Sequence, residues 1–349
     1  MDKLATEARR CILKRNNIHA KVNVINIQKL SKRMITGLLL VGLLTLGIFA
    51  LPKSPLAHAA DNNFANGITV DSTGDGADAN VTDSICDDGS GNCTLRAAIE
   101  ESNDEAGTQT IRFNISGTAD FTNGGEDGYT IQPNTALPDI TDTVIIDGYT
   151  QPGAQPNTAV APSPLNGVLL IEVDGSNLPI DSGWNPCLNI TSSTADYTQV
   201  VGMVLNRCGD HGVAIDDADN VQIGGNYIGT DPTGLIDMGN GRDYTVRSVA
   251  NGVFATSTKG LFIGGANPED RNVIAGNQAG DIFVGNESDL DSSQDNVIAG
   301  NFIGLGADGL TPLPSGYDYG LGNAILFGHS FNDVVGGTSP GDMNVVSSS

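Results

Sequence analysis

The stretch from Arg207 to Asp219 is where chemistry would be sought first. It reads Arg-Cys-Gly-Asp210-His211-Gly-Val-Ala-Ile-Asp216-Asp217-Ala-Asp219, four carboxylates and an imidazole around one short apolar run, with Arg207 just upstream. Two carboxylates about 5–10 Å apart are what glycoside hydrolysis needs. A carboxylate cluster next to a basic residue is what a calcium-dependent lyase needs. Basic partners are few: Arg207, Arg242, Arg247, Lys259 and Arg271 are the only ones after residue 130. The competing reading of the same residues is turn chemistry, because Asp and Asn bend the chain at strand ends. No catalytic residue is assigned on this cluster; it marks the place where one would lie.

A second constellation could hold calcium. Asp71, Asp75, Asp78 and Asn80 alternate with Gly and small residues. Position 3 of an EF-hand count is Thr73 and position 12 is Thr82 rather than Glu, so the pattern departs from that loop. Calcium is the one cofactor these residues could take, and none is required by the sequence. The sole tryptophan, Trp184, with Tyr197, Tyr227 and Tyr244, could stack on sugars.

Four cysteines follow residue 60: Cys86, Cys93, Cys187 and Cys208. An even count in an exported chain suggests two disulfides. Cys86 and Cys93 close a six-residue polar loop, and Cys187 and Cys208 stand 21 apart, close to one repeat, so that they could lie on adjacent turns within disulfide reach. Two unbridged thiols remain the alternative for the second pair.

The elements that must carry these groups show themselves through repetition. Asn251 to Asn277 matches the last 27 residues at an offset of 72, with Asn251/Asn323, Gly264/Gly336, Pro268/Pro340, Asp270/Asp342 and Asn272/Asn344 identical. Asn-Val-Ile-Ala-Gly-Asn occurs at 272–277 and again at 296–301, an offset of 24. As 72 is three times 24, the pattern predicts a rung of about 24 residues. Apolar runs are short (Val213-Ala-Ile215, Leu261-Phe-Ile263, Ile282-Phe-Val284, Ile325-Leu-Phe327) and bounded by Gly, Asn or Asp. Short strands, tight bends and a fixed period predict an all-β parallel β-helix, its bend asparagines stacked as amide ladders. One helix is expected near the start: Thr94 is a candidate N-cap, and Leu95, Ala98, Ile99 and Ser102 share a face. It would cap the first rung. The loop 151–164, with four prolines, is expected to protrude.

Composition agrees with an exported all-β chain. There are 45 glycines, 5% aromatics and 39% hydrophobic residues, too many for disorder. Residues 1–59 combine a basic segment, the apolar run Met34 to Leu51 and an Ala57-His58-Ala59 cleavage site, which describes a signal peptide, or else an uncleaved N-terminal membrane anchor. Beyond residue 59 there are seven basic and 39 acidic residues, a net charge of −32. Such a surface excludes nucleic acid as a partner.

The segment Cys93-Thr-Leu-Arg-Ala-Ala-Ile-Glu-Glu-Ser-Asn103 resembles the Cys-Ser-Leu-Arg-Glu-Ala-Ile motif of the CSLREA domain, which heads many exported bacterial right-handed β-helix proteins. Ile146-Asp-Gly-Tyr-Thr-Gln-Pro-Gly-Ala154, Asn226-Tyr-Ile-Gly-Thr-Asp-Pro-Thr-Gly234 and Arg271-Asn-Val-Ile-Ala-Gly-Asn277 look like that family's further segments. Thr94 for Ser and Ala97 for Glu are departures. The resemblance implies a right-handed β-helix and export, and supplies no activity. The domain expectation is a signal peptide or anchor at 1–59, a CSLREA-like cap at 60–130, and repeats at 131–349 that are truncated at the C-terminus. The functional expectation is a secreted or cell-surface protein with an adhesin-like binding or structural role, its partner an extracellular glycan or cell-surface ligand. The rival expectation is a polysaccharide lyase or glycoside hydrolase. The Asp-Asp and Gly-His-Gly elements superficially resemble those of polygalacturonases, but the His precedes the Asp pair and no Arg-x-Lys follows.

Overall fold

The computed structural model describes residues 67–179, 184–241, 250–286, 293–316 and 322–347. The expected signal peptide or anchor, Cys11, Arg242, Tyr244 and Arg247 lie outside them. Among the described residues no helix is long and apolar enough to cross a membrane.

Among the described residues, 21 short strands make three main sheets, and Ser293–Gln294 pairs with Ser330–Phe331 in a separate two-stranded ribbon. The first has eight parallel strands, from Gly67–Val70 through Gln109–Phe113, Val144–Asp147, Gln199–Val201, Gln222–Gly224, Phe262–Gly264 and Val297–Ala299 to Val334–Val335. The second has five parallel strands, Leu188–Thr191, Val213–Asp216, Asn251–Thr256, Gly280–Val284 and Asn323–Phe327. The third runs from the antiparallel pair Phe121–Asn123 and Glu126–Ile131 through Ile171–Asp174, Met203–Asn206, Tyr227–Ile228, Val273–Ile274 and Phe302–Ile303 to Val345–Val346.

Alternation along each strand decides which residues form the core. In the first sheet, Ile68, Ile111, Ile146, Val200, Ile223, Ile263, Ile298 and Val335 fall into one row by register. In the third, Ile131, Val173, Leu205, Ile228, Ile274, Ile303 and Val346 do the same. The second contributes Val213 and Ile215, Val253 and Ala255, Ile282 and Val284. Apart from their last members Val335 and Val346, which are half exposed, these rows meet in one apolar core. Parallel strands buried on a continuous β-branched face are the sequence signature expected of them.

This layout corrects the fold expectation. Instead of an all-β, right-handed parallel β-helix with 24-residue rungs, the described residues form parallel sheets and one mixed sheet, with helical segments between strands, an α/β-type sheet layout. The spacing was misread for a definite reason. The two copies of Asn-Val-Ile-Ala-Gly-Asn do not pair; Val273–Ile274 lies in the third sheet and Val297–Ala299 in the first. They repeat a local solution, a short strand ended by a glycine of positive φ (Gly276 at 75°, Gly300 at 77°) and an asparagine. The 72-residue match spans two strand steps, not three: Asn251 to Gly280 to Asn323 by 29 and 43 residues, and Ile263 to Ile298 to Val335 by 35 and 37. Along the first sheet, successive row residues are separated by 23 to 54 positions.

Asparagine ladders do form. The backbone N–H of Asn226 donates to Asn272 Oδ1 (2.8 Å), Asn272 Nδ2 donates to Asn301 Oδ1 (2.9 Å), and Asn301 N–H donates to Asn344 Oδ1 (2.9 Å). A second ladder joins Cys208, Asn240, Asn277 and Ser315. The corners of the sheets thereby satisfy backbone groups that the strands leave unpaired.

The helix α1 spans Leu95–Asp104, with Thr94 as N-cap accepting from the Ala97 N–H. Leu95, Ala98, Ile99 and Ser102 are buried, and α1 packs against the first two strands of the first sheet. The loop 151–164 does not protrude freely. Gln151 and Asn157 are buried, Asn157 Nδ2 donates to Pro268 O (2.7 Å), and the following Leu165 N–H donates to Ala307 O (2.8 Å). The outward row of the third sheet, Val204, Tyr227, Val273 and Phe302, forms a second core with Leu169 and Leu305, against which Tyr149 and Leu165, on either side of the loop, pack.

Candidate binding surface

The carboxylate cluster singled out in the sequence is dispersed by strand geometry. Val213–Asp216 is a strand of the second sheet, with Val213 and Ile215 turned into the core. His211 and the acids lie at its two ends. Arg207 turns away from them: its Nε donates to Asp174 Oδ1 (2.8 Å) and its Nη2 lies 3.6 Å from Glu172 Oε1. Glu172 and Asp174 were not anticipated as its partners. They share one strand face at i and i+2, and Asn206, Thr130, Gln132 and Ser176 supply their remaining donors.

Each acid of the cluster has a structural task. Asp210 Oδ2 accepts the Asn185 N–H (3.0 Å), and burial raises its pKa above the usual carboxylate value. Asp216 is exposed and accepts from Thr256 Oγ1 (2.7 Å). Asp219 Oδ1 accepts the Lys259 N–H (2.8 Å), and Asp217 takes a positive φ of 55° at the turn. Turn chemistry accounts for these residues.

His211 is the informative member. It is 1% exposed, its Nδ1 accepts the Asn251 N–H (2.9 Å), and burial pulls its pKa down to about 3. A neutral imidazole with one nitrogen committed to backbone is a poor proton carrier near neutral pH. What it does instead is pack. His211 stacks on Phe254 with centroids 4.3 Å apart, and Phe254 stacks on Phe283 at 5.1 Å. By register the outward row of the second sheet is Asn189, Ala214, Phe254, Phe283 and Leu326. Trp184 stands edge-on to this stack, 5.1 Å from His211 and 6.0 Å from Phe254, and remains 51% exposed. Stacking covers the faces of His211 and Phe254 against each other, so the open aromatic surface is that of Trp184.

Compared with known proteins, the chain matches no family model and no curated sequence.

The remaining site expectations are placed as follows. Tyr227 is buried in the second core, while Tyr197 is 63% exposed at a turn. Asp71, Asp75, Asp78 and Asn80 do not converge. Asp71 Oδ1 accepts the Cys93 N–H (2.9 Å), Asp75 Oδ1 pairs with Arg96 Nη2 (2.7 Å), and Asp78 accepts the Asn80 and Asp87 N–H groups. Asn80 bonds Asp83 and Thr82. Among the described residues, no three His, Cys, Asp or Glu side chains are grouped to hold a metal ion. Arg96 also donates to the Thr135 and Ala136 carbonyls, so the arginine of the Cys93-Thr-Leu-Arg segment ties α1 to two distant segments. Both disulfides are present, Cys86–Cys93 and Cys187–Cys208 (Cα–Cα 5.1 and 5.4 Å), which settles the second pair as bridged. They are consistent with an exported protein.

Sequence reasoning missed Phe254 and Phe283 as a pair. The signal was available: each is the middle residue of an apolar run whose flanks, Val253 and Ala255, Ile282 and Val284, point inward, so the middle one points out.

Proposed function

We propose that this is an exported, non-catalytic binding protein, secreted or held at the cell surface, that takes extracellular glycans on the outer face of its second sheet. The carrying observation is Trp184, half exposed and braced edge-on by the His211–Phe254–Phe283 stack. A rigid aromatic with an apolar face and a polar edge contributes much contact area for little lost rotamer freedom, which is why such residues anchor recognition surfaces. The strongly acidic surface favours neutral sugars over uronates, since like charges repel. Catalysis has less support, because His211 is buried and neutral and Arg207 is spent on Glu172 and Asp174.

Trp184 is the only tryptophan, so its emission reports on this surface alone. Titration with neutral oligosaccharides should shift and quench that emission, and calorimetry should show binding that Trp184→Ala lowers at least tenfold. A flat emission and no heat with every glycan tried would remove this reading. Release of new reducing ends or unsaturated products, lost in an Asp216→Asn/Asp217→Asn variant, would replace it with polysaccharide cleavage.

A further inference from the structure

Arg271 is the largest fully buried side chain among the described residues, 1% exposed. Its guanidinium carbon lies 5.1 Å from the Phe302 ring centroid, and neither Nε nor Nη1 has a hydrogen-bond partner. No carboxylate among the described residues pairs with it, whereas the buried Arg96 and the partly exposed Arg207 each hold an acid. Phe302 belongs to the second core, Asn157 of the 151–164 loop is bonded to Pro268, three residues before Arg271, and Leu165 is bonded to Ala307.

A buried cation without a counter-ion is costly, and a single cation–π contact does not offset the lost hydration. Buried N–H groups left without acceptors in a native fold call for an ion or a water in their place. We propose that Arg271 forms a binding site for a small inorganic anion such as chloride, beside the Phe302 ring. An unpaired guanidinium calls for a negative partner, and its Nε–H and Nη1–H, on opposite edges of the group, each offer one donor to a small ion. The acidity of the rest of the molecule makes this the one place among its described interior groups where a negative ion meets an uncompensated positive charge.

The test is thermal unfolding of the whole chain at constant ionic strength, with chloride replaced stepwise by gluconate. Binding to the folded state alone raises the midpoint by a few degrees per tenfold chloride once the site is filling. Arg271→Met should abolish this dependence. Because that variant could fail to fold, crystals of the wild-type protein soaked in bromide provide a second reading, with an anomalous peak expected within hydrogen-bond distance of Nε or Nη1. A midpoint indifferent to chloride together with no bromide peak would overturn the proposal and assign the space to water. So would a chloride dependence that persists in Arg271→Met, since the ion would then act elsewhere.

Discussion

Titration separates structural from catalytic roles at the level of single residues. His211 has its pKa lowered to about 3, against 6.5 in a free imidazole. Between these values the unfolded chain binds a proton that the folded chain refuses, so its contribution to stability is complete above about pH 6.5 and is lost as pH falls towards 3. The slope is about 1.4 kcal/mol per pH unit. Asp281 works the other way. It is 1% exposed, Asn277 Nδ2 and Ser315 Oγ donate to its Oδ1, and burial raises its pKa to about 7. The folded chain therefore keeps a proton that the unfolded chain releases, and this contribution fades as pH rises from about 4 to 7. Urea unfolding across pH 4–7 should show a wild-type advantage over His211→Gln that grows with pH. The advantage over Asp281→Asn should shrink over the same range. Parallel curves would mean that neither group is held as described. The sequence showed that His211 and four acids were neighbours in the chain. It did not show that the histidine is buried against the outward-facing Phe254, a partner 43 positions away, and that difference separates an acid–base residue from a packing one.

At the level of elements, the corners matter as much as the strands. Asn272 sits in the middle of its ladder: its Oδ1 accepts from Asn226, and its Nδ2 donates to Asn301 Oδ1 and to the Ile223 carbonyl (2.8 Å). Replacing it with alanine strands several buried groups at once, each costing about 1–3 kcal/mol. Asn272→Ala should therefore cost ~3 kcal/mol or more in chemical denaturation. Asn344→Ala, at the half-buried end of the same ladder, should cost less than half as much. Equal losses would mean that the ladder is not cooperative with burial. The ladder asparagines were legible because the same residue recurs at chain bends. The period was not, because one short motif ending in Gly and Asn closes strands in different sheets, and a local repeat cannot say which strand it joins. The helix α1 was read correctly from local signals alone, an N-cap threonine and a single apolar face.

For the molecule as a whole, the disulfides connect the fold to its surroundings. Cys187–Cys208 ties the start of the second sheet to the turn after Met203–Asn206 of the third, and the Cys187 N–H also donates to the His211 carbonyl (2.9 Å). It therefore holds two sheets together three residues along the chain from both Trp184 and His211. Closing a 21-residue separation restrains the unfolded chain by ~3 kcal/mol in the loop-entropy account, against ~2.4 kcal/mol for the seven-residue Cys86–Cys93 link. The two bridges should also differ in reach. A Cys187→Ala/Cys208→Ala variant should lower the unfolding midpoint and broaden or shift Trp184 emission in the folded protein, because the bracing of its platform is lost. Cys86→Ala/Cys93→Ala should lower stability by a smaller amount and leave that emission unchanged, since its bridge lies beside α1. If both double variants altered Trp184 emission alike, the platform would depend on the cooperative fold as a whole, and glycan affinity should then fall in step with stability in each.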